Sequence, residues 1–256
     1  MPNNGFLYRR LARFIPCVLP HVGSGNLSLS TKYDIASLRD VFMSAHYWRA
    51  FEHMTAPPKR IVDLGAHCGH FSVLCHLASL ERFGADHAEY ILVEALPALI
   101  PKIQRVVEEA GFARQVKVVQ GLVGKREGSA GFETDPRNLL ASKARPTSAN
   151  GSAMKLAYRD LDSIIEPGSA IDILKIDIEG SEYDLIENYR HVLLAANLLL
   201  LEIHGTSEKQ IYFEQQLTAA GFFALSPAIV KENERLVCYG ARRSGENIRS
   251  LASLVL

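Results

Sequence analysis

The stretch Lys59–Ser72 constrains the fold of this chain more than any other. A short apolar run, Ile61–Leu64, is followed by two glycines, Gly65 and Gly69, and then by a small-residue apolar segment, Phe71–Leu80, that fits a helix. This order is typical of the strand, tight turn and helix of a nucleotide-binding βαβ unit. A glycine lets the backbone approach a ligand closely, and the helix start behind it offers unpaired N–H groups and a positive dipole end.

A second predicted strand, Tyr90–Val93, ends at the acid Glu94. Its distance from Asp63 fits one βαβ unit, and a carboxylate there can accept both hydrogen bonds of a ribose diol. Dinucleotide sites usually carry Gly-x-Gly-x-x-Gly, whereas His67 stands where the second glycine would be. A nicotinamide oxidoreductase is therefore a disfavoured alternative. The pattern Asp-x-Gly-x-x-x-Gly with a later Glu is similar to the S-adenosylmethionine loop of class I methyltransferases, in which the loop backbone receives the aminocarboxyl end and the acid holds the ribose.

Predicted strands and helices alternate along the rest of the chain. The strands are 61–64, 90–93, 116–119, 171–176 and 198–203, with helices at 71–80, 97–110, 183–190 and 210–220 and two closing β runs at 222–225 and 236–239. Alternation predicts an α/β fold whose sheet is mainly parallel, with a C-terminal antiparallel hairpin and helices on both faces. Together with the loop described above, this fold resembles the Rossmann-like sheet of class I methyltransferases. Ligands of such sheets bind at the carboxyl ends of the strands.

The chain has 256 residues, of which 48% are apolar, so one domain can bury a large core. We expect an N-terminal helical cap or extension over residues 1–55, with a helix at 38–54 that covers the cofactor pocket, and a methyltransferase domain over 56–256. Residues 124–153 show few periodic signals. We interpret them as a substrate-facing insertion, with a plain flexible loop or a β-hairpin as alternatives.

The net charge and the cysteine content limit which partners and which cellular compartment can be expected. The formal net charge of 0 gives no sign of a nucleic-acid partner. The scattered cysteines predict reduced thiols in a cytoplasmic protein. No apolar run approaches the ~20 residues that span a bilayer. Apolar and basic residues alternate at helical spacing within 1–20; peripheral membrane contact there is the less favoured alternative to a helix packed on its own domain.

Polar residues stand where the predicted strands end, and we expect them to meet at one edge of the sheet. They are Gln120 after the third strand, with its neighbours Gly121 and Leu122, then Asp177 and Glu179 after the fourth, and Glu202 and His204 at the end of the fifth. This convergence is a stronger signal than any single motif.

The segment Leu174–Glu182, Leu-Lys-Ile-Asp-Ile-Glu-Gly-Ser-Glu, resembles the signature of the FkbM-type methyltransferases. The resemblance runs from about Lys59 to Gly221 and includes four shorter matches, Val62–Ala66, Leu92–Glu94, Asp160–Asp162 and Leu201–His204. It departs at His67, where Asn is usual. The resemblance implies S-adenosylmethionine-dependent O-methylation of a hydroxyl on a sugar or natural-product acceptor. A small-molecule or glycan acceptor is the expected partner.

The resemblance also implies site residues. Those expected to bind the cofactor are Asp63, Gly65, Ala66, His67, Gly69, Glu94, Ala95, Gln120, Gly121, Leu122 and Asp177. A neutral sugar hydroxyl is a poor nucleophile, and a base within hydrogen-bond reach contributes about 10²–10⁴ in rate. The catalytic candidates are Asp177, Glu179, Glu202 and His204. Asp177 is expected to orient the hydroxyl or act as base, and His204, with a reference pKa near ~6.5, is the other candidate base.

Alternatives to metal-free methyl transfer stay open. The same acids could bind Mg²⁺, which would lower the pKa of the hydroxyl, but the metal-free route is favoured because the signature resembles a family that we do not associate with an obligatory metal. A zinc site made of His67, Cys68 and His70 is disfavoured because these residues lie in the cofactor loop. A non-catalytic cofactor-binding module on the same fold is the other alternative.

Overall fold

The computed structural model describes residues 32–43, 47–48, 51, 54–135, 138–145, 154–231 and 234–241. The helices are α1 (Lys32–Phe42), α2 (His70–Phe83), α3 (Ile100–Glu109), α4 (Glu182–Asn188), α5 (Arg190–Leu194) and α6 (Ser207–Ala219). The strands are β1 (Arg60–Leu64), β2 (Glu89–Glu94), β3 (Val116–Gln120), β4 (Ser129–Asp135), β5 (Asn138–Arg145), β6 (Met154–Ala157), β7 (Ile171–Ile176), β8 (Ala196–His204), β9 (Phe222–Ala224), β10 (Ile229–Lys231) and β11 (Glu234–Ala241).

The main sheet has the strand order β10-β11-β8-β7-β1-β2-β3, with β9 also paired to β11. Strands β3, β2, β1, β7 and β8 run parallel, and β11 pairs antiparallel with β8, β9 and β10. The predicted fold class is confirmed. The chain builds outward from β1 to β3 and then restarts at β7 on the other side, so the strand order reverses between β1 and β7. Ligands of such sheets bind in the crevice at this reversal.

The strand register sets the ends of the central strands level with one another. Leu64, the last residue of β1, pairs with Val93 in β2 and with Ile176 in β7, and Ile176 in turn pairs with Leu201 in β8. The residues that follow these four positions therefore reach the same edge of the sheet. This register brings residues that are distant in sequence close together in one site.

Adjacent residues of the central strands pack into different cores because side chains alternate across a strand. Ile61 packs into the core that also contains Leu38 of α1, Phe71 of α2 and Ile103 of α3. Val62 packs into the other core, with residues of α4, α5 and α6. Helices therefore cover both faces, and strands buried on both faces are apolar runs rather than alternating ones.

The region 124–153 is more regular than its sequence predicts. Strands β4 and β5 form an antiparallel hairpin, and β6 adds to it in the order β5-β4-β6. A β-hairpin, one of the alternatives for this region, is thus present, and its role as a substrate-facing insertion stays a prediction. Phe132 of β4 is buried and clusters with Leu96 and Leu122 near the edge of the main sheet. Residues 146–153 lie outside the described part of the chain.

The N-terminal helix begins at Lys32, earlier than the predicted start at residue 38. The prediction followed the apolar residues, whereas the polar first turn contains Asp34, which a helix start favours through its dipole. Leu38 and Val41 of α1 pack into the core of the domain. The domain boundary at residue 55 stays a prediction, and residues 1–20 lie outside the described residues. Within the described residues, no helix has the length and apolar character needed to span a bilayer.

Candidate active site

A cavity of about 590 Å³ opens at the carboxyl ends of β1, β2, β7 and β8. The loop after β1, the hairpin residue Phe132 and the N-terminal helix α1 complete its walls. The cavity extends from Glu94 and Leu122 at one end to Glu202 and Glu234 at the other. Its size falls in the range of about 300–1,000 Å³ that is usual for small-molecule and cofactor sites.

The loop after β1 is fixed by its neighbours on both sides. Its amides at Gly65 and Ala66 donate to the carbonyl of Val93, at 2.9 and 3.0 Å. Gly65 has φ +79°, and a Cβ there would lie 1.7 Å from the carbonyl oxygen of Asp177. The close packing of β1 against the exit of β7 therefore requires glycine here. The approach of a ligand to Gly65, which lines the cavity, stays a prediction. His67 also takes a left-handed conformation, with φ 48°.

Glu94 fastens this loop to the end of β2. Its carboxylate accepts the backbone N–H of His67 at 2.7 Å and that of Leu96 at 2.8 Å. Burial raises the pKa of Glu94 to about 7, against the effect of these two amide donors. Each carboxylate oxygen accepts one backbone N–H here and has capacity for a further bond. The side chain therefore holds the loop and still presents an acceptor to the cavity.

Lys175 is a buried cation at the base of the cavity. Its Nζ donates to the carbonyl of Gly65 at 2.9 Å and lies 3.3 Å from Asp63 Oδ1 and 3.6 Å from Asp177 Oδ2. Burial opposes its charge, but Asp63 and Asp177 outweigh burial and raise the pKa of Lys175. The pKa of Asp63 is also raised, by burial. Lys175 therefore joins β1, which leads into the loop, to the exit of β7, where Asp177 lies.

His204 is held between two carboxylates. Its Nδ1 lies 2.9 Å from Glu182 Oε1, and its Nε2 lies 3.6 Å from Glu179 Oε2. Burial works against a charged ring, but the hydrogen bond and charge of Glu182, with Glu179 adding to them, raise the pKa of His204 to about 9. The ring is therefore protonated at neutral pH. An imidazolium cannot accept a proton, so the pairing with Glu182 and Glu179 disfavours His204 as the base.

Glu202 faces the same cavity from β8. Its Oε1 accepts the hydroxyl of Tyr47 at 2.5 Å, a contact from the N-terminal region to the end of the sheet. Burial, and then the charge of Asp177, raise the pKa of Glu202 to about 8. Burial, followed by the charge of Glu202, raises the pKa of Tyr47 well above its usual value. Glu202 is therefore largely protonated near neutral pH.

Two sets of side chains could coordinate a cation within the described residues. Ligand atoms of Asp177, Glu179 and His204 all lie within 4.8 Å of one another, and so do those of Glu202, His204 and Glu234. Both sets share His204, whose imidazolium already places a positive charge among the carboxylates. The Cys and His side chains of the cofactor loop belong to neither set.

A sequence profile of the methyltransferase FkbM domain matches residues 63–224, well over half of the chain. The chain belongs to the FkbM methyltransferase family. Its family and its strand order are those of S-adenosylmethionine-dependent methyltransferases of class I. No curated protein sequence matches the chain at a significant level.

The FkbM domain is similar in fold to many solved structures. Human methyltransferase 10 domain containing protein is 13% identical, with a TM-score of 0.49 over 94% of this chain and 99% of that one. Precorrin-6y C5,15-methyltransferase from Geobacter metallireducens is 11% identical, with a TM-score of 0.46 over 77% and 87%. M. capricolum TrmK, in complex with S-adenosylhomocysteine, is 8% identical, with a TM-score of 0.46 over 78% and 69%. Identities this low carry no information about the acceptor.

Most of the residues predicted to bind the cofactor line the cavity of the FkbM domain: Gly65, Ala66, His67, Glu94, Ala95, Gly121, Leu122 and Asp177. Three lie behind its wall. Asp63 pairs with Lys175, Gly69 donates its N–H to Ala66 O at 2.7 Å, and Gln120 Nε2 donates to Ala95 O at 2.8 Å. The catalytic candidates all line the cavity, namely Asp177, Glu179, Glu202 and His204.

Several other side chains that line the cavity are not predicted from the sequence to bind the cofactor or the acceptor: Ser37, Tyr47, His70 and Glu234. Ser37 and Tyr47 come from the N-terminal region, where the family resemblance is absent. His70 was visible next to the cofactor loop but suggested only a metal ligand. Glu234 begins β11, whose antiparallel pairing with β8 sets it opposite His204. A pattern of alternating strands and helices does not reveal that pairing.

Proposed function

We propose that this chain is an S-adenosylmethionine-dependent O-methyltransferase that methylates a hydroxyl of a sugar or natural-product acceptor. Family membership supports the reaction class. The observation that carries the proposal is the placement of Asp177, Glu179, Glu202 and His204 in the same cavity as the loop after β1. Carboxylates at this place can orient an acceptor hydroxyl and accept its proton.

The residues present fit the cofactor. Glu94 presents a buried carboxylate with unused acceptor capacity, which suits the hydroxyls of a ribose. Leu96, Leu99, Leu122 and Phe132 give the same end of the cavity an apolar wall that suits an adenine ring. When bound, S-adenosylmethionine supplies a sulfonium methyl group, whose carbon–sulfur bond breaks with the electron pair left on sulfur while a carbon–oxygen bond forms to the acceptor.

We assign the role of base to Asp177. Its backbone N–H donates to Leu64 O at 3.0 Å, which fixes it directly against the end of β1. Its side chain is 27% exposed to the cavity, and Lys175 lies close enough to stabilise the carboxylate. Asp177 takes the proton of the acceptor hydroxyl. The remaining contribution is positioning, for which protonated Glu202 and the His204 imidazolium offer donors to other acceptor oxygens.

The proposal is tested by labelled methyl transfer from S-adenosylmethionine into fractionated extracts of the source cell, followed by kinetics on the acceptor found. We expect Asp177→Asn to keep its cofactor affinity in calorimetry and to lose about 10²–10⁴ in kcat. Asp184→Asn is the matched control, because Asp184 is part-exposed on α4 and pairs with Lys125 outside the cavity. Full turnover by Asp177→Asn would remove this assignment.

Two other outcomes would replace the proposal. Cofactor binding without transfer into any fraction would support a non-catalytic binding module. Loss of activity in a chelator, restored by Mg²⁺, would put a cation at Asp177, Glu179 and His204 and replace the metal-free route.

A further inference from the structure

The end of the cavity that contains Glu202 has an apolar wall of its own. Ile229 pairs with Leu236, and Leu236 pairs with Glu202, across the antiparallel strands β10, β11 and β8. Residues directly opposite each other in such strands project from the same face of the sheet, and all three line the cavity. The register therefore places two aliphatic side chains in a row beside Glu202.

A second apolar surface at this end comes from α1 and the residues after it. Val41 lies in the last turn of α1 and Met43 directly follows the helix, and both line the cavity. Tyr47, only a few residues further along the chain, donates its hydroxyl to Glu202. This hydrogen bond holds the segment at the same end of the cavity as the aliphatic row of the sheet.

Val41, Met43, Ile229 and Leu236, here called the apolar path, lead from the cavity to solvent. Val41 and Leu236 are buried, whereas Ile229 is 42% exposed and Met43 is 80% exposed. A single exposed apolar residue is ordinary, but exposed apolar residues that continue the buried wall of a cavity indicate a binding surface. The apolar wall that we assign to adenine lies at the other end of the cavity, so the apolar path is available to the acceptor.

The polar groups at this end decide what kind of head group the apolar path can accompany. Asp177, Glu179 and Glu234 bring carboxyl groups to the cavity wall, with the His204 imidazolium among them. A phosphate, sulfate or carboxylate bound here would face these like charges, whereas a hydroxyl can donate to a carboxylate and accept from a neighbouring donor. An uncharged, hydroxyl-bearing group therefore suits this end better than an anionic one.

We propose that the acceptor is an amphipathic alcohol, in which an uncharged hydroxyl-bearing head contacts Asp177 and Glu202 and an aliphatic chain leaves the cavity over Met43 and Ile229. This inference rests on the proposed function, because it names the class of acceptor that the same site takes. A free sugar would leave the apolar path in contact with water, whereas an aliphatic chain would cover it. Burial of apolar surface is favourable in proportion to its area, so the chain contributes directly to affinity.

The binding test uses methyl, butyl, hexyl and octyl β-glucoside, each below its micelle-forming concentration, added to protein saturated with S-adenosylhomocysteine. Calorimetry measures the affinity of each glucoside. Every methylene that the apolar path covers should strengthen binding about twofold to fourfold. Octyl phosphate, which has the same chain and an anionic head, should bind about tenfold more weakly than octyl glucoside.

Two pairs of variants test where the chain lies. Met43→Gln and Ile229→Thr make the exposed side chains of the apolar path polar with little change in size, so each should reduce the gain in affinity per methylene. Met154→Gln and Val230→Thr are the matched controls, because Met154 and Val230 are also exposed but neither lines the cavity. Val230 directly follows Ile229 on β10 and so projects from the opposite face of the strand. Both controls should keep the wild-type gain.

Several results would overturn this inference. One is an affinity that does not rise from methyl to octyl glucoside in the wild type, and another is an equal rise in all four variants, since the chain would then bind elsewhere. Tighter binding of octyl phosphate than of octyl glucoside would overturn the uncharged head. Dimerisation in sedimentation that Met43→Gln and Ile229→Thr abolish, without any rise in affinity along the glucoside series, would assign the apolar path to a second copy of the chain instead.

The labelled methyl transfer from S-adenosylmethionine separates this inference from the proposed function. We expect the methylated product to partition into organic solvent when the cell extract is fractionated. Transfer into water-soluble products alone would overturn the amphipathic acceptor and leave the proposed function in place. Failure to bind S-adenosylhomocysteine, with no transfer into either phase, would remove the proposed function itself and this inference with it.

Discussion

The pairing of His204 with Glu182 predicts a pH-dependent contribution to stability. His204 has a folded-state pKa of about 9 against 6.5 for an unperturbed histidine, because Glu182 outweighs the opposing effect of burial. The folded protein therefore holds a proton that the unfolded chain releases between these two pKa values. The contribution is fully present below pH 6.5 and is lost as the pH rises through about 9.

The magnitude follows from the same two pKa values. A tenfold change in a proton-binding constant corresponds to about 1.4 kcal/mol, so the rise from 6.5 to about 9 corresponds to about 3 kcal/mol. Solvent screens this pair little, because His204 is 8% exposed and Glu182 is fully buried. We therefore expect His204→Gln, which removes the titrating group, to lose about 3 kcal/mol relative to wild type at pH 6 and much less at pH 10.

Urea unfolding of both proteins across this range measures the difference. Glu202 also has a raised pKa, and it makes the stability of both proteins fall between about pH 4.5 and 8. Subtraction of the two curves removes most of that shared effect. A stability difference that stays constant from pH 6 to pH 10 would refute the reasoning, since it would mean that His204 contributes through packing and not through its charge.

Three further predictions concern the loop and the cation beneath it. Glu94→Ala should weaken S-adenosylmethionine about tenfold to a hundredfold in calorimetry, whereas Glu89→Ala, at the exposed start of the same strand, should leave affinity unchanged. Gly65→Ala should lower the free energy of unfolding in urea by at least about 3 kcal/mol, because the added Cβ would overlap the carbonyl oxygen of Asp177. Gly168 has a similar φ of +81° but open space around it, so Gly168→Ala should lower it by about 1 kcal/mol. Lys175→Met should lower the free energy of unfolding in urea by about 3–5 kcal/mol, because it leaves the buried carboxylate of Asp63 without its cationic partner. A decrease below about 1 kcal/mol would contradict this account.

Much of the site could be predicted from the sequence because it depends on periodicity. Apolar runs separated by helical segments define a parallel sheet, and a parallel sheet brings the ends of its strands together. Asp177 and Glu202 therefore meet at one edge although they are distant along the chain. Glu94 could be placed for the same reason, since it ends the strand next to β1.

The parts of the site that could not be predicted from the sequence depend on tertiary contacts, which the spacing of apolar residues does not indicate. Tyr47 reaches Glu202 from a region outside the family resemblance, and its role comes from how α1 and the residues after it pack on the sheet. The pKa of His204 depends on Glu182, a residue that the sequence places after the fourth strand without indicating which way its side chain points. The hairpin is only an alternative in the sequence because its strands have few apolar positions, and they pair with each other and with β6 in a separate small sheet.

Lys175 connects the loop after β1 to Asp177, so these two parts of the site are not independent. In the register of the sheet it stands opposite Asp63, and from there its ammonium group contacts the carbonyl of Gly65 and the carboxylate of Asp177. The loop that we assign to the cofactor and the acid that we assign as base therefore share one buried cation. A movement of the loop would shift the ammonium group of Lys175 and so change the electrostatic potential at Asp177. Neutralising Asp177 would leave Lys175 with one fewer anionic partner. Cofactor binding and the electrostatic environment of Asp177, which we propose as the base, are thus expected to be linked through Lys175.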